Sequence, residues 1–226
     1  PYSATAASSV DKAQLELLFS SNTKEFIQLV DKLMAIPSNQ LDKTERIELS
    51  YYAGLAAMTR SDYSNAELYL KQVADGSEDL VLKHRATVSL VNLHQHTGNF
   101  YQAFSLALRL SEAEFGDLPD DNKAAGTMAM ALALLDSGLY EEAGTQLKQF
   151  DFSTVSSRIR CTALFLTAQI AYKSDIFTKK LPQIELDNAQ CYQDNHQLYA
   201  LLTDSALAII YLNQNQPDKA LKLLTD

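Results

Sequence analysis

Apolar residues recur along this chain at helical spacing, and the stripes come in consecutive pairs separated by short polar breaks. One stripe carries Ile47, Ser50, Gly54 and Ala57, within a helix predicted over about 43–59; the next carries Ala66, Leu70 and Val73, over about 64–74 with Gly76 as its stop. Asp42 and Glu45 have the spacing of a capping box at the start of the first of these. Further pairs follow: Leu90, Val91 and His94 with Ala103, Leu106, Ala107 and Leu110, then Met130, Ala131 and Leu134 with Ala143, Leu147 and Phe150. The last pair uses Leu207, Ala208 and Tyr211, then Ala220 and Leu224.

The breaks inside the pairs share a form. They read Asp62-Tyr63-Ser64-Asn65-Ala66, Gly98-Asn99-Phe100-Tyr101-Gln102-Ala103, Gly138-Leu139-Tyr140-Glu141-Glu142-Ala143 and Asn215-Gln216-Pro217-Asp218-Lys219-Ala220. Gly or Asn closes one helix, a polar residue or Pro opens the next, and a small Ala lets the two approach. Ala66, Ala103 and Ala143 recur at nearly even intervals, and the interval from Ala143 to Ala220 is the sum of the two before it, which leaves room for one degenerate copy. A further copy is expected around Phe26, in Ser21-Asn22-Thr23-Lys24-Glu25-Phe26. The degenerate copy is assigned a helix over about 157–173, with Cys161, Leu164, Ala168 and Ala171 inward, a loop from Ser174 to Leu181, and a helix opened by Pro182 that runs to about Gln193. Six helix pairs, and hence twelve helices, are predicted, with no strand.

Such a repeat resembles the tetratricopeptide repeat (TPR), a helix pair with a W-x₂-L-G-x₂-Y…A-x₃-F…P signature. Gly54 and Ala66 match the family's Gly and Ala; Gly98, Gly138, Tyr63, Phe100 and Tyr140 match the turn; Ala208 and Tyr211 match the first helix of the last repeat. Tryptophan is absent throughout, and the repeat spacing is longer than the family's usual period. The resemblance implies an all-α, right-handed superhelical solenoid of about six antiparallel pairs over 10–226, preceded by a flexible segment over 1–9. Arrays of this kind also resemble the sensor regions of bacterial signalling proteins such as diguanylate cyclases and histidine kinases.

Composition narrows the function. The 226 residues carry a formal net charge of −9 and no Lys/Arg cluster beyond Lys179-Lys180, which argues against nucleic acid and anionic membranes as partners. No apolar run reaches the length of a membrane span. No Gly-rich phosphate loop, G-x-S-x-G elbow or H-E-x-x-H string is present, and His94 and His96 lie on different helix faces, so neither catalysis, a cofactor nor a metal is expected. The chain opens on Pro1 and a small, polar stretch to Ser9, as after a cleaved signal peptide, or as in an excised fragment. The last helix ends on Leu221, Leu223 and Leu224 without a polar cap, so a longer chain is expected to continue past Asp226.

The resemblance places ligands on the concave face, formed by the first helix of each pair. In this chain that face would carry Tyr51, Leu55, Met58, Arg85, Val88, Asn92, Gln95, Met128, Leu132, Phe165, Gln169 and Tyr172, together with Leu202 and Ile209. Arg85 and Asn92 match two positions of the family's carboxylate clamp, but Val88 and Tyr51 stand where its Lys is required, so the clamp is rejected. The expected partner is a protein or peptide in the groove, or a small ligand, with self-association through repeat edges as a further contact. The expected role is a binding and sensing module of a signalling protein in the periplasm or another extracytoplasmic compartment; the alternative is a constitutive cytoplasmic adaptor. Cys161 and Cys191 fall near adjacent ends of antiparallel helices, within reach of a disulfide; two buried free thiols are the competing reading.

Overall fold

The computed structural model describes residues 11–225, so the segment expected to be flexible over 1–9 lies outside the described residues. Among the described residues the chain is all helical, with twelve α-helices and no strand. They are α1 (Lys12–Ser21), α2 (Thr23–Met34), α3 (Lys43–Thr59), α4 (Tyr63–Gly76), α5 (Leu80–His96), α6 (Phe100–Arg109), α7 (Asp120–Asp136), α8 (Tyr140–Lys148), α9 (Ser157–Lys173), α10 (Leu181–Gln193), α11 (Gln197–Asn213) and α12 (Pro217–Thr225). The five odd-numbered helices from α3 to α11 each have 17 residues. The segment expected as a loop after α9 forms a 3₁₀ helix, Asp175–Lys180, and Pro182 opens α10 as its missing N–H allows. Gly76 is the last residue of α4 and Ser77 is its cap.

The chain forms two compact units, one running to Thr97 and the other from Gly98. In the first, α3 packs on α4 and α5, and α4 packs on α5. In the second, α7 packs on α8 and α9, α8 on α9, α9 on α10 and α11, α10 on α11, and α11 on α12. Within each unit, helices adjacent in sequence are thus adjacent in space, as short connections require.

The breaks act by a common mechanism. Ser61, Gly98, Gly138, Asn195 and Asn215 all have positive φ, between 56° and 78°. A left-handed residue at this point ends the helix and turns its next amide back onto it. The amides of Asp62, Leu139, His196 and Gln216 accordingly donate to the carbonyls of Ala57, Leu134, Cys191 and Tyr211 at 2.8–2.9 Å. The Ala that follows each left-handed residue, five positions on, is buried: Ala66, Ala103, Ala143 and Ala200 at 0 % exposure and Ala220 at 2 %. With no side chain beyond Cβ, it lets α4 lie against α3, α8 against α7, α11 against α10 and α12 against α11; Ala66 packs with Ala57 of α3 and Leu93 of α5.

The degenerate copy forms as expected, with α9 and α10 joined through Asp175–Lys180. A further turn of the motif, Asn195–Ala200, joins α10 to α11. Leu224, expected inward, is 60 % exposed, because α12 meets α11 through Ala220 and turns Leu224 away. The capping box forms as the spacing predicts: Glu45 N–H donates to Asp42 Oδ1 at 2.8 Å and Asp42 N–H to Glu45 Oε2 at 3.0 Å.

Candidate functional site

In the first unit the candidate residues meet a carboxylate from α1. Glu16 Oε1 accepts from Arg85 Nη1 at 2.6 Å and from the Tyr52 hydroxyl at 2.9 Å. The Arg85 guanidinium lies 4.9 Å from the centroid of the Tyr51 ring. Partial burial works to raise the Glu16 pKa, but the Arg85 hydrogen bond and charge outweigh it and hold the carboxyl below its usual range. Burial, followed by the Glu16 charge, pushes the Tyr52 phenol up. The cluster joins α1, α3 and α5.

Much of the expected face here is packed rather than presented. Residues Leu49 to Ala57 of α3 are all buried, Tyr51 at 4 % and Leu55 at 7 % exposure among them. Met58 is half-buried against the Ala57–Ala66–Leu93 cluster. Val88 and Gln95 are half-buried and Asn92 is exposed.

The second unit holds an open groove of about 580 Å³ between α7, α9 and α11. Phe165, Gln169 and Tyr172 of α9 and Leu202 and Ile209 of α11 line it together, all five from the expected face. Tyr172, Leu202 and Ile209 remain 41, 38 and 44 % exposed, so the lining is apolar and accessible. Met128 and Leu132 of α7 do not line it; Met128 is buried at 9 % exposure and Leu132 is half-buried.

Contributors outside the expected set include Leu135 and Asp136 at the end of α7 and Tyr140 at the start of α8. The sequence marks Tyr140 only as a turn residue, and a polar residue beside a helix end carries no signal of its own. Burial raises the Asp136 pKa. Lys173, also in the lining, holds its ammonium 4.7 Å from the centroid of the Tyr172 ring.

The groove rests on a stapled scaffold. A disulfide joins Cys161 of α9 to Cys191 of α10, with a Cα–Cα distance of 5.8 Å. Both cysteines pack with Ala200 of α11, and Ser157 Oγ of α9 lies 2.9 Å from His196 Nε2 at the start of α11. Farther along, Asp204 of α11 is 8 % exposed and accepts from Asn188 Nδ2 at 2.7 Å and the Tyr192 hydroxyl at 2.6 Å. Burial raises its pKa, against the pull of those two donors. This polar network pins α10 to α11, and no periodicity in the sequence marks it.

Among the described residues no group of three or more His, Cys, Asp or Glu side chains is placed to hold a metal ion, and no helix is long and apolar enough to cross a membrane. Comparison with protein-family models, with curated proteins and with solved structures returns no match.

Proposed function

We propose that this chain is a non-catalytic binding module, a TPR-like array whose partner face is the α7–α9–α11 groove. The observation that carries the reading is the convergence of Phe165, Gln169, Tyr172, Leu202 and Ile209 on one open, apolar recess. Repeat register alone assigns these five to a single face, and a recess of this size suits a few anchoring side chains. The order of packing in each unit supports TPR-like pairing: a 17-residue helix lies against the helix that follows it and against the next 17-residue helix. The right-handed winding of the family belongs to the same proposal. Binding, not chemistry, is the activity that an apolar groove on rigid helices supports.

The sensor role in an extracytoplasmic compartment is the preferred context. The Cys161–Cys191 bond favours it over the cytoplasmic adaptor, because disulfides persist in oxidising compartments and are rare in the cytosol.

A random peptide library displayed on phage tests the groove. Peptides selected on the wild-type chain should lose at least most of their binding to a folded Phe165→Ala/Ile209→Asp variant. Equal binding by that variant would remove the groove as the partner face.

A further inference from the structure

We propose that the α7–α9–α11 groove selects a peptide segment carrying a basic side chain beside an apolar or aromatic one, with the basic group seated at Asp136. This rests on the reading of that groove as the partner face. Asp136 is the last residue of α7, and no basic residue lies in the last turn of that helix. An anion at a helix C-terminus faces the negative end of the helix dipole, an unfavourable arrangement. Nothing within the fold offsets it: among the described residues Asp136 makes no ion pair or side-chain hydrogen bond.

The one lysine in the lining does not fill that role. Lys173 is engaged with the ring of Tyr172 and forms no ion pair with Asp136. The α7 end of the groove therefore sets an unpaired carboxylate beside aromatic residues, Tyr140 and Phe165, that share the lining. Carboxylate and ring faces both favour a cation. Leu202 and Ile209, exposed on α11, offer the neighbouring apolar contact. Asp136 stays exposed, and the desolvation by its neighbours that lifts its pKa would be offset by an incoming cation, which stabilises the ionised form. The chain's net charge of −9 opposes an acidic segment in the same place.

Three capped pentapeptides test the proposal: Ac-Ala-Phe-Ala-Lys-Leu-NH₂ and its Gln and Glu counterparts at the fourth position, each titrated into the ¹⁵N-labelled chain and followed by NMR. The Lys peptide should bind about fivefold more tightly than the Gln peptide, the scale of a partly exposed ion pair, with the Glu peptide weakest. In Asp136→Asn the three affinities should converge on that of the Gln peptide, and in the wild type the Asp136 carboxyl ¹³C titration should move to lower pH on adding the Lys peptide. A Lys preference that survives in Asp136→Asn overturns the assignment. Equal binding of all three peptides to the wild type, abolished by Ile209→Asp, overturns charge selection while leaving the groove as a binding face. Absence of shifts in α7, α9 and α11 with every peptide counts against both.

Discussion

Gly54 of α3 lies so close to Leu70 of α4 that a Cβ on it would stand 2.7 Å from Leu70 Cγ and 2.8 Å from Cδ2. Leu70 is fully buried, so it has little room to yield. Gly54→Ala therefore sets overpacking of about 1–3 kcal/mol against a gain of about 1 kcal/mol in helix propensity. A net loss of about 1 kcal/mol is expected from urea unfolding, and the same substitution made in a Leu70→Ala background should cost less. Unchanged or increased stability in the single variant would show that the two helices can part without penalty.

Gly138 is a glycine for a different reason. Its φ is +78° and no heavy atom beyond its chain neighbours lies within 4 Å of where a Cβ would be built. Gly138→Ala should destabilise the second unit by about 1 kcal/mol through backbone strain alone. Gly138→Asn should cost less than Ala, since Asn tolerates the left-handed region and already holds it at Asn195 and Asn215. Equal costs for Ala and Asn, read from thermal unfolding, would contradict this.

The Glu16–Arg85 bond predicts a pH dependence. The Glu16 pKa is lowered in the folded chain, so its contribution is fully present above the ordinary glutamate value of 4.5 and is lost as pH falls through the lower folded value. Because both side chains are partly exposed, the contribution is expected to be about 1 kcal/mol or less. Glu16→Gln should be less stable than wild type at pH 7, and the gap should close in acid. A gap that stays constant from pH 7 to pH 3 would refute the assignment.

The disulfide closes a loop with a sequence separation of 30. Cys161→Ser/Cys191→Ser should lower stability by about 3.6 kcal/mol in the chain-entropy account. Alkylation under denaturing, non-reducing conditions should label no thiol, with labelling of both cysteines after reduction. Labelling without reduction would show the bond to be absent in the protein as isolated.

The helices and the turns between them are legible in the sequence because their signals are local. The left-handed turn residue, the cap and the small Ala five positions on act within about two turns of chain, so Gly98–Ala103 and Gly138–Ala143 announce themselves, as does the Asp42–Glu45 box. Asn195–Ala200 carries the same local signal, but it falls off the even spacing set by Ala66, Ala103 and Ala143, and a search by period misses it. The face assignments are legible in part. Register places Phe165, Gln169, Tyr172, Leu202 and Ile209 on a common side, but it does not foretell which of the assigned residues stay open. A helix packed against neighbours on several sides buries more than one stripe, and in α3 that takes in every residue from Leu49 to Ala57, including Tyr51 and Leu55. Only the tertiary structure brings Glu16 of α1 to Arg85, four helices further along the chain, Asp204 to Tyr192 and Asn188, and Asp136 into an apolar groove. Those pairings depend on which helices become neighbours and how they are rotated, and a hydrophobic period is blind to both.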